Sequence, residues 1–146
     1  MVRHSLEIFV NEVLHRGQMS VEDVRCLQRD ILADGIESRD ECDVLIALDR
    51  AVGEKAGAWS AFVIQAVVDY VVWTSRPTGM VDRETAQWLT TSLSAGTGPS
   101  NVALAIAFDV VRECERADEI LVTFVMQWAR GRAEALRQQV DLDLAA

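Results

Sequence analysis

Proline is scarce in this chain of 146 residues: there are only two, alongside eight glycines. With so few residues that interrupt helices, long helical segments can form. Half of the residues are hydrophobic, which is enough to build a core. The composition therefore predicts a packed helical domain and argues against a disordered chain.

The chain also lacks paired cysteines. Cys26, Cys42 and Cys114 are odd in number and far apart, and no two of them have the spacing of a zinc site, an iron-sulfur site or a redox dithiol. Each lies within an apolar helical pattern. We therefore expect reduced thiols that act as small core residues.

Basic residues are in the minority. The chain has 14 Lys and Arg against 23 Asp and Glu, which gives a net charge of −9. A field of this sign repels phosphate backbones and anionic lipid. We therefore expect no nucleic-acid partner.

No hydrophobic run has the length of a transmembrane helix. Residues 1–7 lack the apolar core of a signal peptide. The most apolar stretch, residues 61–73, is too short to span a bilayer and contains Gln65 and Asp69. We therefore expect no membrane span and a cytoplasmic protein.

What the chain does contain is an internal similarity at a spacing of 62 residues. The segment 62–65, Phe-Val-Ile-Gln, returns at 124–127 as Phe-Val-Met-Gln, and the same spacing relates Gly17 to Gly79 and Leu27 to Leu89. This regularity predicts an internal duplication of one structural unit. We interpret residues 1–16 as an N-terminal helix, 17–78 as the first repeat and 79–139 as the second, within a single domain over 1–146.

Apolar spacing, caps and breaks together predict an all-α bundle of about seven helices, built from a duplicated three-helix unit plus the N-terminal helix. The fourth helix is apolar nearly all round, which predicts a central position. Its many valines could indicate a strand, but its length and lack of alternation favour a helix. The predicted helices are 5–16 after a Ser5 cap, Ser20 to the Asp34-Gly35 turn, Ser38 to about 52, 58–75, Asp82 to about 94, 100–114, and Asp118 towards Leu136.

The segment between Asp30 and Glu41 has part of a calcium-loop pattern. Asp30, Asp34 and Glu41 fall at positions one, five and twelve of an EF-hand loop. Leu32 at position three offers no side-chain oxygen, and Glu37 stands where an apolar residue belongs. A glycine turn followed by a Ser38–Glu41 capping box explains the same residues without a metal. A metal site at Asp30, Asp34 and Glu41 is therefore the alternative and not our expectation.

No set of residues gives positive support to an enzyme. Glu12 and His15 have the Glu-x-x-His spacing of di-iron bundles, but His4, the second histidine, has no Glu three residues before it. Phosphate-binding glycine loops, Gly-x-Ser-x-Gly and His-Glu-x-x-His are all absent from the sequence. We expect no enzymatic activity and no cofactor.

Several polar residues lie inside apolar helices. Asp49, Asp69 and Asp109 must either face outward or meet a partner such as Arg50 or Arg112, because an unpaired buried charge is unfavourable. We interpret Gln65 and Gln127, which correspond at the 62-residue spacing, as buried amides. A remote alternative is an enzyme that uses Asp69 within the core, with a polar pocket beside that helix.

The run at residues 34–41, Asp-Gly-Ile-Glu-Ser-Arg-Asp-Glu, resembles the Asp-Gly-x-apolar-Ser-x-x-Glu signature of TerB-like helical domains, which are associated with tellurite resistance. The turns at residues 17–22 and 79–84 look like the same cap device. The resemblance extends over about residues 17–137. It implies an all-helical cytoplasmic domain tied to stress responses or membrane-associated complexes.

These observations lead to two hypotheses. The first is a non-enzymatic, TerB-like interaction module of a bacterial stress response, which holds a protein partner or a second copy against an apolar helix face. The alternative is a metal-binding or small-ligand-binding protein that uses the Asp30 to Glu41 loop. The first rests on the excess of large apolar side chains, including the four tryptophans Trp59, Trp73, Trp88 and Trp128.

Overall fold

The computed structural model describes residues 1–130, and within them the chain is an all-α bundle with seven helices, as predicted. The continuation of the last helix towards Leu136 and the end of the second repeat at residue 139 lie outside the described residues. The helices are α1 His4–Arg16, α2 Val21–Cys26, α3 Arg39–Ala51, α4 Gly57–Val68, α5 Arg83–Ser94, α6 Asn101–Glu113 and α7, residues 119–130.

Two of these helices do not end as ordinary α-helices. The segment α2 continues into π1, Leu27–Ile31, and α4 continues into π2, Asp69–Thr74. In each, a backbone N–H reaches back five residues: Leu32 N to Leu27 O is 2.7 Å and Ser75 N to Tyr70 O is 2.8 Å. The sequence predicts a helix over each of these segments but not its π turn, because apolar spacing does not distinguish a terminal π turn from an α turn.

Helix caps explain most of the helix boundaries. Ser20 accepts a hydrogen bond from Asp23 N while the Asp23 carboxylate accepts one from Ser20 N, which is a complete capping box. Ser38 accepts from Glu41 N, but the Glu41 carboxylate bonds elsewhere, so the predicted Ser38–Glu41 box is only half formed. The predicted Ser5 cap is wrong, since α1 begins at His4 and Arg3 occupies the N-cap position.

Four short strands, which the sequence did not predict, join the helices. β1 Gln18–Met19 pairs in parallel with β2 Glu54–Lys55, and β3 Met80–Val81 pairs in parallel with β4 Arg116–Ala117. Corresponding strands lie 62 positions apart, the spacing of the sequence similarity. The turns before β1 and β3 each have a glycine in the left-handed region, Gly17 at φ 73° and Gly79 at φ 79°. The duplication itself stays a prediction.

The core surrounds α4, which packs against α2, α3 and α6. Its inner side buries Trp59, Val63 and Val67 completely. Cys42 is fully buried as expected, while Cys26 and Cys114 are partly buried, and all three thiols are free. The largest fully buried apolar side chains besides Trp59 are Leu6, Leu27, Leu45, Leu48, Leu89, Leu93, Ile106 and Leu121.

Candidate functional site

An open groove of about 630 Å³ runs along the outer side of the central helix. One wall is α4 with its continuation π2. The opposite wall is π1 and the turn at residues 32–36. Both π segments therefore border the groove, and π turns inside helices are frequent at functional sites. From α4 and π2 the lining residues are Ala58, Ala61, Phe62, Gln65, Ala66, Asp69, Tyr70 and Thr74.

The groove exposes an unusually apolar helix. The 18 residues Gly57–Thr74 have a mean hydropathy of 1.2, yet only 33% of them are buried in the domain. By length and composition alone this helix could cross a membrane, which corrects the expectation that the apolar stretch is too short. A soluble core helix meets the same criterion, and the contacts of α4 with α2, α3 and α6 are those of a core helix.

Small side chains keep the groove open. The lining includes Ala58, Ala61 and Ala66 from α4 and Ala33 and Gly35 from the turn. The backbone of another chain can approach closely over such positions, because there is little side-chain volume in the way. The α4 wall of the groove therefore allows close contact with a ligand.

Two half-buried aromatic rings give the groove its larger contact surfaces. Phe62 packs against the buried ring of Trp59, with ring centres 6.3 Å apart. Tyr70 meets the half-buried ring of Trp88 edge-on at 6.5 Å. Partial burial raises the pKa of the Tyr70 hydroxyl above its ordinary value, and nearby Cys42 adds to the increase. Tyr70 therefore stays a neutral hydrogen-bonding group at physiological pH.

The charges of the groove all have one sign. Asp34 and Asp69 are exposed carboxylates, and no Lys, Arg or His occurs among the described residues that line the groove. Gln65 donates from Nε2 to Oδ1 of Asp69 at 2.7 Å. Both Gln65 and Gln127 are exposed, so the prediction of buried amides was wrong. Asp69 is also exposed. The enzyme alternative places Asp69 in the core, and that placement is wrong.

The predicted metal loop is held by an internal cation. The guanidinium of Arg3 lies against Glu41, with Nε 2.7 Å from Oε2 and Nη2 2.9 Å from Oε1. It also donates to the backbone carbonyls of Ile31, at 2.6 Å, and Gly35, at 3.0 Å. A single cation therefore bridges the carboxylate at loop position twelve and the carbonyls at positions two and six.

Glu41 has little capacity left for a metal ion. Its carboxylate also accepts from the backbone N–H groups of Arg3 and Glu37, and its side chain is only 1% exposed. Burial alone raises the pKa of Glu41, but the hydrogen bonds from Arg3 and Glu37 outweigh burial and hold that pKa below its ordinary value. Asp30 and Asp34 are exposed. Among residues 1–130 no three His, Cys, Asp or Glu side chains come together to hold a metal ion. The metal alternative stays a prediction.

Asp49 is the second buried carboxylate, and its partners differ from the one that the sequence suggested. Oδ1 accepts from Lys55 Nζ at 3.0 Å and from Trp59 Nε1 at 2.9 Å, while Ser100 Oγ lies 3.4 Å from Oδ2. Arg50 instead donates to a backbone carbonyl of α5. These contacts join α3, β2, α4 and the start of α6. Asp49 therefore has a structural role, and it lies away from the groove.

The remaining candidates lie apart from one another. Asp109 pairs with Arg112 at 3.1 Å, as predicted, on the surface of α6. Glu12 and His15 are both exposed on α1. His4 lies 3.7 Å from Glu7 on the same helix. None of these side chains contributes to the groove.

Comparison with known proteins gives no match for this chain among family models, curated proteins or solved structures. The resemblance to TerB-like domains stays a prediction.

Proposed function

We propose that this protein is a non-enzymatic helical interaction module whose groove along α4 holds a helical segment of a partner protein. The observation that supports the proposal most strongly is the contrast between composition and burial in residues 57–74. Only a third of these residues are buried, and Phe62, Ala66 and Tyr70 pack against the core yet remain partly exposed along the groove. Apolar surface left exposed in this way is typical of interaction sites.

The length of the groove suits a helix. Its lining extends from Ala58 to Thr74, which at 1.5 Å per residue corresponds to about 24 Å. A partner helix of about 16 residues covers that length. Apolar side chains of such a helix would contact Phe62 and the alanines, in the manner of helix-in-groove recognition.

The lining chemistry favours binding over catalysis. Among the described lining residues there is no Ser, Cys, His or Lys. The polar side chains of the groove are two carboxylates, two amides, one phenol and one threonine hydroxyl, and no hydrogen bond among the described residues joins a hydroxyl of the groove to a carboxylate as a nucleophile and base. The resemblance of residues 34–41 extends the proposal to a TerB-like module of a bacterial stress response.

A matched pair of substitutions tests the proposal. Ala61→Arg places a long charged side chain on the α4 wall of the groove. Ala51→Arg places the same side chain on an exposed position at the end of α3. Each variant and the native protein are used as bait in a lysate, and captured proteins are compared. We expect a defined protein that the native chain and Ala51→Arg retain and that Ala61→Arg loses, with binding mapped to one helical peptide.

Two further measurements identify other occupants. Light scattering of the native protein and of Ala61→Arg detects a dimer that depends on the groove. Such a dimer would mean that the groove holds a second copy of this chain and not a partner protein. Flotation with phosphatidylcholine vesicles detects a membrane surface as the occupant. A monomer without an Ala61-dependent partner would contradict the proposed function.

A further inference from the structure

We infer that the helix taken up by the groove is cationic, with Lys or Arg side chains directed at Asp69 near the π2 end of α4. This inference rests on the proposed function and adds the chemistry and the orientation of the partner. It starts from the distribution of charge along the groove.

Asp69 supplies the main electrostatic contact. It is exposed at the first position of π2, and its Oδ1 is oriented by Gln65. Its Oδ2 has no hydrogen-bond partner among the described residues. A carboxylate fixed on one oxygen and available on the other is a ready acceptor for an ammonium or guanidinium group.

Asp34 on the opposite wall contributes less. It directly precedes Gly35, whose carbonyl accepts from the Arg3 guanidinium at 3.0 Å, so a cation of the protein itself already lies near it. A cationic partner should therefore depend more on Asp69 than on Asp34.

The charge pattern also gives the partner a direction. On the α4 wall, the lining residues from Ala58 to Ala66 carry no charge, and Asp69 lies towards the other end, which is the carboxyl end of the helix. The carboxyl end of a helix is itself the negative end of its dipole. The partner's basic residues should therefore lie over π2 and its most apolar residues over Ala58 to Phe62.

The overall charge disfavours the other occupants. A second copy of this chain has a charge of −9 and would meet a surface of its own sign. An anionic membrane is repelled for the same reason. A basic segment is attracted both by the whole chain and by the groove.

Three synthetic 16-residue helical peptides test the inference with the full-length protein. They share one Leu and Ala face and have Lys, Gln or Glu at their polar positions. Fluorescence anisotropy at low and high NaCl measures their binding to the native chain, to Asp69→Asn and to Glu12→Gln. The last two variants lose the same charge, but Glu12 lies on α1 outside the groove lining.

We expect the Lys peptide to bind most tightly and the Glu peptide least. Asp69→Asn should weaken the Lys peptide by about threefold, the scale of one exposed ion pair, and Glu12→Gln should leave it unchanged. Asp34→Asn should have a smaller effect than Asp69→Asn. Asp69→Lys should reverse the preference between the Lys and Glu peptides, and salt should weaken the Lys peptide selectively.

Equal losses in Asp69→Asn and Glu12→Gln would show that only the diffuse field of the protein attracts the peptide, and would overturn the inference. Equal binding of the Gln and Lys peptides, abolished by Ala61→Arg, would also overturn it while leaving the proposed function intact. If Ala61→Arg changes no peptide's binding, the proposed function fails as well. Thermal unfolding of each variant confirms that the fold is retained.

Discussion

Arg3 and Glu41 form a bidentate ion pair between the N-terminal segment and α3, with N···O distances of 2.7 and 2.9 Å. The same guanidinium donates to the carbonyls of Ile31 and Gly35, at the end of π1 and in the turn behind it. Arg3 therefore links α3 to the part of the chain that forms one wall of the groove. A residue outside the groove thus fixes its shape.

Removal of Arg3 should destabilise the protein strongly. Arg3→Ala leaves the Glu41 carboxylate buried without its counter-ion and is expected to lower the free energy of unfolding by about 3 kcal/mol. Arg25→Ala removes an exposed pair with Glu22 and should change it by about 0.5 kcal/mol or less. Urea denaturation at pH 7 measures both. Equal effects would show that the buried pair contributes no more than a surface pair.

The same ion pair should make stability depend on pH. Because the pKa of Glu41 is lower in the folded chain than in the unfolded chain, its contribution is complete above the unfolded value of about 4.3. That contribution is lost as the pH falls through the folded-state pKa. Native protein and Glu41→Gln are compared by denaturation at pH 7, 5, 4 and 3. Their difference should be largest at pH 7 and shrink below pH 4; a constant difference would contradict the assignment.

Local signals predicted the helix boundaries well, whereas long-range contacts were not predictable. Ser20, Ser38 and Asp82 cap helices through residues three positions ahead, so the sequence alone identifies them. Arg3 and Glu41 are 38 residues apart, and no periodicity connects them. The two-residue strands are too short to show alternation.

The groove illustrates the same limit. Asp69 was singled out in the sequence as a charge within an apolar helix, but only the packing of π1 beside α4 shows that it faces a groove. Gln65 was placed in the core because it lies in the same apolar helix. When nearly all residues of a helix are apolar, the sequence does not show which side of the helix faces outward.

Substitutions of Asp49 and Asp109, two of the acidic residues that lie inside apolar helices, should differ sharply in their effects on stability. Asp49 is 4% exposed and bonds Lys55 and Trp59, whereas Asp109 is 30% exposed and pairs only with Arg112 among the described residues. Asp49→Ala should lower the free energy of unfolding by about 3 kcal/mol, because it leaves buried donors without an acceptor. Asp109→Ala should lower it by about 0.5 kcal/mol or less. Chemical denaturation distinguishes these values, and similar losses would contradict the contrast.

Divalent metals should have little effect on the native protein. The Glu41 carboxylate is already neutralised by Arg3, so of the three predicted ligands only the exposed Asp30 and Asp34 remain for Ca²⁺, Mg²⁺ or Zn²⁺. Thermal unfolding with 1 mM of each metal should give the midpoint of the metal-free sample, since a ligand stabilises only when its concentration approaches its dissociation constant. A clear increase with one metal that Asp34→Asn abolishes would instead support the metal alternative.

The three cysteines should differ in their reactivity towards thiol reagents. Cys42 is fully buried in α3, and burial raises the pKa of its thiol far above the ordinary value, with Asp43 and Glu41 adding to the effect. Cys26 and Cys114 are partly buried, and burial raises their pKa values less. Since the thiolate is the reactive form, a thiol reagent at pH 8 should modify these two slowly and leave Cys42 intact. Denaturant should make the Cys42 thiol accessible to the reagent. Cys42→Ser should abolish this third modification and leave the other two unchanged. Rapid modification of Cys42 in the native protein would show that α3 opens far more readily than its packing implies.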